Sequence, residues 1–262
     1  MKLWPPYVRS KMSTEPSDGC QAPSVALRVD GALAQYVVPT TASVVWRIHS
    51  LNEKTGRTFA PVYFSRKEGS RWDFKSNSKH PYSDGVLCLG KTFEAAMIET
   101  FAKKWPSVLA PTRPDAKPYE TGRVLTPDDC TRKSATPLHL PAGLRLFDLT
   151  APAAMNSVGY GLDAWLTATK AYHFTRSWSR WFFQCSDIDG LIYSSRPGGA
   201  QMTNYVLFSR PGLKGKLRAE AGQTRQLGQW RSLLRNASVV LNFTILAPLP
   251  KVAADEQHVR MR

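Results

Sequence analysis

The stretch VLCLGKTFEAAMIETF (residues 86–101) changes its apolar period halfway along. Its first five residues are a short apolar run ended by Gly90, which reads as a buried strand. From Thr92 onward the spacing turns helical, with Phe93, Ala96, Met97 and Phe101 on one face. Thr92 suits an N-cap, Glu94 falls in the first turn, and Pro106 ends the run. A strand over 86–90 followed at once by a helix over 92–105 is therefore predicted. The chain has no GxGxxG after its first strand and no GxxxxGK[ST] anywhere, which argues against Rossmann and P-loop folds.

Upstream, ASVVWRIHSL (42–51) alternates as a strand, with Val44, Trp46 and Ile48 on one face and Val45, Arg47 and His49 on the other. Downstream, LRLFDLT (144–150), DGLIYSS (189–195) and YVLFS (205–209) read as strands, with a short aromatic one at VYF (62–64). Helices are expected at 159–172 and 175–185, and a polar helix near 217–235. An apolar strand, SVVLNFTILA (238–247), is expected last. The proline-rich segment 106–143 reads as loop or short strands. Irregular alternation without a repeat implies an α+β domain built on a modest, largely antiparallel sheet. The expected division is an extension over 1–40, the domain proper over 41–212, and a basic helix with a final strand over 213–262.

The 262 residues are 42% hydrophobic and 11% aromatic, enough for one large core. No apolar run reaches membrane-spanning length and the N-terminus has no signal-type apolar stretch, so a cytoplasmic location without membrane contact is expected. Cys20, Cys88, Cys130 and Cys185 are scattered, and the histidines lack ligand spacing, so neither a disulfide framework nor a metal is expected. The net charge of +15 implies attraction to an anion: nucleic acid, an acidic partner or a phosphate-bearing substrate. It is concentrated at 64–80 and 213–235, both expected to be largely exposed except Arg71, which is expected to turn into a cleft.

Three side chains carry chemistry. Arg47 stands in mid-strand and cannot discharge, so it must reach water, a carboxylate or an anionic ligand. Glu99 sits beside the helix's apolar stripe, ringed by Ala95, Ala96 and Ala102. It either lines a shallow ligand space or pairs with Lys103 on a solvated flank. Ser195 ends the strand before Arg-Pro-Gly-Gly and is either a turn former or a site residue. A serine hydrolase finds no GxSxG elbow and no partner base here.

Taken in order, WRIHS (46–50), GSRWD (69–73), VLCLGKTFEAAMIETF (86–101), TRSWSRW (175–181) and DGLIYSSR (189–196) resemble the blocks of the RES domain family, named for an arginine, a glutamate and a serine. The resemblance spans roughly 43–210. It implies an ADP-ribosyltransferase-like fold: a mixed, largely antiparallel split sheet with flanking helices. It also implies consumption of NAD+ by phosphorolysis, hydrolysis or ADP-ribosyl transfer to a protein, without a metal. Many members are toxins paired with a helix-turn-helix antitoxin, so such a partner is implied here. Carried over, Arg47 and Arg71 would grip the phosphates and riboses, Glu99 would stabilise the cationic ribose, and Ser195 would bond the nicotinamide end. Cys88 stands where the family usually has a site tyrosine, a place Tyr82 would have to fill from the loop. A catalytically weakened RES-fold protein that binds nucleic acid or a partner through its basic face is the alternative.

Overall fold

A computed structural model of the chain describes residues 31–50, 60–65, 71–73, 85–101, 123–157, 172–185, 187–195 and 202–246. Strands β1 (Val37–Pro39), β2 (Ser43–Ser50) and β3 (Val86–Gly90) lead into helix α1 (Phe93–Phe101). Then come β4 (Val124–Leu125), α2 (Pro127–Arg132), β5 (Lys133–Leu140), β6 (Arg145–Asp148) and α3 (Pro152–Ser157). After α4 (Tyr172–Cys185) follow β7 (Gly190–Ser194), β8 (Thr203–Phe208), α5 (Leu213–Lys216), β9 (Arg218–Ala219) and β10 (Arg225–Gln226). Helix α6 (Arg231–Val240) and β11 (Thr244–Ile245) complete the described chain.

One sheet runs in the order β1, β6, β7, β8, β3, β2, β5, with β9 and β10 both on the far edge of β5. Its neighbours are antiparallel except β6 and β7. The expected α+β class, with a largely antiparallel sheet and flanking helices, is therefore observed. β2 pairs with β5 along its whole length but meets β3 only at Trp46 and Gly90. Beyond that pair the two strands part. The residues at 60–65 occupy the parting, where Ser65 exchanges backbone bonds of 2.7 and 3.0 Å with Val86.

Alternation fixes the two faces. Trp46, Cys88, Leu191 and Tyr193 lie on the helix-covered face; Val45, Leu87, Leu89 and Leu138 lie on the other, under Phe64 and Leu213. Helix α4 buries Trp178 and Phe182 against Phe147 and Leu191. Helix α1 packs Phe93, Met97 and Phe101 under Leu234 and Ala237 of α6. Ala95 and Ile98 are buried as well, so α1 is covered on more sides than its apolar stripe alone requires.

Four expectations need correction. Residues 62–64 form no strand; only Ser65 bridges β3. The segment 106–143 contains β5, an eight-residue strand inside the sheet. The region 217–235 holds β9, β10 and the start of α6 rather than one helix. Finally, 238–247 begins as the end of α6 and leaves only Thr244 and Ile245 in a strand. Asn242, at φ 50°, terminates that helix, and Phe243 N–H closes back on Ser238 O at 3.1 Å. Residues 31–39 join the main sheet through β1, which pairs with β6. The helix expected at 159–172 lies outside the described residues, apart from its last residue, which opens α4.

Candidate active site

Where β2 and β3 part, α1 crosses over the gap and leaves a cavity of about 370 Å³. Trp46, Ile48 and Ser50 of β2 form one wall and Cys88, Leu89 and Gly90 of β3 the other. Ala96, Glu99 and Thr100 reach it from α1, one helical turn apart, and Asp73 completes the lining. The helix is set in place by its own start: Thr92 Oγ1 accepts from Ala95 N–H at 3.2 Å. It also lies directly on Gly90, where an added Cβ would stand 2.3 Å from Ala96 N. Glycine is thus what lets the helix carrying Glu99 approach the strand so closely.

Residues 71–73 are pinned from two sides. Thr175 Oγ1 on α4 donates to Arg71 O at 2.6 Å, and Trp72 is sunk in the core against the Tyr193 ring at 5.1 Å. Alternate side chains are thereby presented outward from this anchor. The Arg71 guanidinium lies 5.8 Å from the Tyr193 ring centroid, and Asp73, only 4% exposed, faces the cavity with Ser65 Oγ donating to it at 3.5 Å.

Among the sequence-predicted residues, Glu99 lines the cavity; Arg47, Arg71 and Ser195 are not part of its described lining. Tyr82 lies outside the described residues. Arg47 projects toward the 60–65 segment, where its guanidinium donates to Pro61 O and, at 2.9 Å, to Tyr63 O. Burial lowers its pKa to about 10, opposed by the nearby Cys88, Tyr63 and Asp73. Arg47 thus fastens the segment that fills the parting of the strands, and its charge is felt by two cavity residues.

Ser195 is 1% exposed, its N–H donating to Met202 O at 2.8 Å and its Oγ without a partner among the described residues. Two residues back on the same face, Tyr193 is also buried. Burial and the neighbouring Glu99 carboxylate push its phenol well above the ordinary value. Among the described residues, no hydrogen bond of ordinary geometry closes on Tyr193 Oη, although the Glu99 carboxylate lies close by. Glu99, Tyr193, Cys88 and Arg71 therefore form one electrostatic group, with Ser195 adjoining it along β7.

Sequence reasoning missed Asp73 and Tyr193 as site residues. Both stood within the quoted blocks GSRWD and DGLIYSSR, where a buried carboxylate and a buried phenol look like ordinary loop and strand residues. Chemically, the cavity offers two carboxylates and a thiol at its surface, and the carboxylates suit it to stabilising a cationic centre.

In solved structures, one chain of the crystal structure of the M. tuberculosis MbcT–MbcA toxin–antitoxin complex is similar at 14% identity and a TM-score of 0.47, covering 76% of this chain and 93% of that one. No curated protein sequence matches the chain. The RES domain model matches residues 44–227, from the start of β2 past β10 and across both walls of the cavity. By that match the chain belongs to the RES domain family.

Proposed function

We propose that this protein consumes NAD+, cleaving the bond between nicotinamide and ribose, and acts as the toxin of a toxin–antitoxin pair in the cytoplasm. The observation that carries the reading is the Glu99 carboxylate on a cavity wall in a chain of this family, with Asp73 on the same cavity. Cleavage develops positive charge on the ribose, and a preorganised carboxylate in a water-poor cavity stabilises that charge. In this scheme Glu99 faces the ribose and Ser195 the nicotinamide end. Arg47 and Arg71 answer the phosphates, with Tyr82 contributing from its loop. Guanidinium suits the phosphates because its planar fork bonds two oxygens at once. The acceptor is phosphate, water or a protein side chain. The protein partner is a helix-turn-helix antitoxin, and no metal takes part.

Cys88 on the cavity wall favours a second reading, a catalytically weakened relative that binds nucleic acid or a partner through exposed Lys214, Lys216, Arg218 and Arg235. Mass spectrometry of NAD+ incubated with the purified protein, with and without phosphate, separates the two. Free ADP-ribose, ADP-ribose-1″-phosphate or a modified protein would each identify one reaction. Intact NAD+ under all conditions would refute the enzymatic reading.

A further inference from the structure

Glu99 reaches the cavity from α1, and Asp73 reaches it from the anchored stretch 71–73. The chemistry proposed above uses only the first. The nicotinamide ring is cationic in NAD+ and leaves as a neutral base, so no general acid has to protonate it. One carboxylate facing the cationic ribose is enough, which leaves Asp73 without a task. A buried carboxylate is nonetheless costly to keep, and this one is held in a fixed place. Thr175 and Trp72 secure its stretch of backbone, while Ser65 Oγ donates to the carboxylate at 3.5 Å. Ser65 is in turn locked to Val86 by two backbone bonds.

The rest of the lining bears on what can come up to Asp73. Among the described residues, no lysine, arginine or histidine lines the cavity, and Trp46, Ile48, Leu89 and Ala96 give it apolar walls. The Arg47 guanidinium is directed to Pro61 O and Tyr63 O. In the NAD+ reading, Arg47 and Arg71 are taken up by the pyrophosphate, which leaves neither to receive a further anion. Inorganic phosphate would have to shed its hydration beside two carboxylates. Asp73 is only 4% exposed, so an acceptor carried on another protein has little access to it. Water meets neither obstacle.

We propose that Asp73 is a second catalytic residue, the general base that makes water the acceptor. This rests on the NAD+ reading above and narrows its three acceptors to one. As the bond from the anomeric carbon to nitrogen breaks, its electron pair stays with nicotinamide. Positive charge then grows on the ribose that faces Glu99. A water held by Asp73 bonds to the anomeric carbon and gives a proton to the Asp73 carboxylate, which passes it to solvent. NAD+ and water thus yield ADP-ribose, nicotinamide and a proton. The acidic lining performs both tasks, since it attracts the cationic centre and turns away an anionic competitor.

The test titrates inorganic phosphate into NAD+ reactions of the wild-type full chain and of Asp73→Asn. Products are separated by mass spectrometry, and thermal unfolding is run on both proteins. Wild type should form ADP-ribose at a rate that added phosphate leaves unchanged. Asp73→Asn keeps the shape of the side chain and should slow ADP-ribose formation about 10²-fold. Phosphate, less strongly repelled, should then take a larger share of the product. An unchanged rate in the folded variant, or an equal loss through both products, would overturn the role given to Asp73. Should the variant fail to fold, the wild-type series decides. ADP-ribose at every phosphate concentration sustains the proposal. ADP-ribose-1″-phosphate or a modified protein as the main product would overturn it and leave the NAD+ reading standing. No release of nicotinamide by wild type would remove both.

Discussion

Glu99 and Arg47 respond differently to substitution because one charge matters at the top of the barrier and the other throughout. Under the proposed chemistry, Glu99→Gln keeps shape and removes the charge that meets the cationic ribose. NAD+ turnover should fall about 10²–10³-fold with KM little changed. Arg47→Ala should weaken NAD+ affinity and also lower unfolding free energy by about 1–3 kcal/mol, since Pro61 O and Tyr63 O lose a charged donor. Calorimetric binding and urea unfolding read the two effects separately. His49, on the same strand, gives a pH effect instead. Thr136 Oγ1 donates to Thr224 Oγ1 at 3.1 Å, which leaves it to accept from His49 Nε2–H at 3.0 Å. Burial, with Arg47 and Lys133 nearby, lowers the His49 pKa to about 4. The unfolded chain, with histidine near its ordinary 6.5, binds the proton first. This contribution is thus complete above pH 6.5, is lost as pH falls toward 4, and is constant below that. It amounts to on the order of 3 kcal/mol. Urea midpoints between pH 7 and 4 should fall less steeply in His49→Gln than in wild type.

Helix α1 depends on one small residue in the strand before it. Gly90→Ala would place a methyl group 2.3 Å from Ala96 N, and backbone cannot yield as a side-chain tip would. The helix must lift, costing about 1–3 kcal/mol by chemical denaturation. It would also move Glu99, so turnover should fall further than stability alone explains. This helix was legible in the sequence because cap, stripe and stop agreed. β5 was not, because it lies in the proline-rich segment 106–143, which read as loop or short strands. The structure shows why proline is tolerated there. Pro137 O accepts from Glu220 N–H at 3.4 Å, so the missing N–H also faces the outer edge, between the stretches covered by β9 and β10. The end of α6 misled for another reason. Val239 and Val240 suggested a strand, yet both are exposed, and the buried Leu234, Ala237 and Leu241 set the helical period. In the site, Glu99 was legible from its alanine neighbours. Tyr193 was not, because its place beside Glu99 depends on strand pairing that the sequence does not display.

At the scale of the molecule, a single residue pair joins two half-sheets, and neither half is continuous in sequence. The half containing β2 and β5 is finished by β9, β10 and α6, all beyond residue 212. A chain ending at 212 would bare the outer edge of β5 and the apolar residues of α1 that Leu234 and Ala237 cover. Such a chain should aggregate on size-exclusion chromatography, where the full chain elutes discretely. The same arrangement has a consequence during synthesis. On a ribosome adding about 5–20 residues per second, β5 emerges on the order of ten seconds before the strands that shield its edge. The nascent protein therefore spends that interval with an open strand edge, available to chaperones or to other nascent chains. Termination near residue 212 would yield insoluble material rather than a shortened but folded protein.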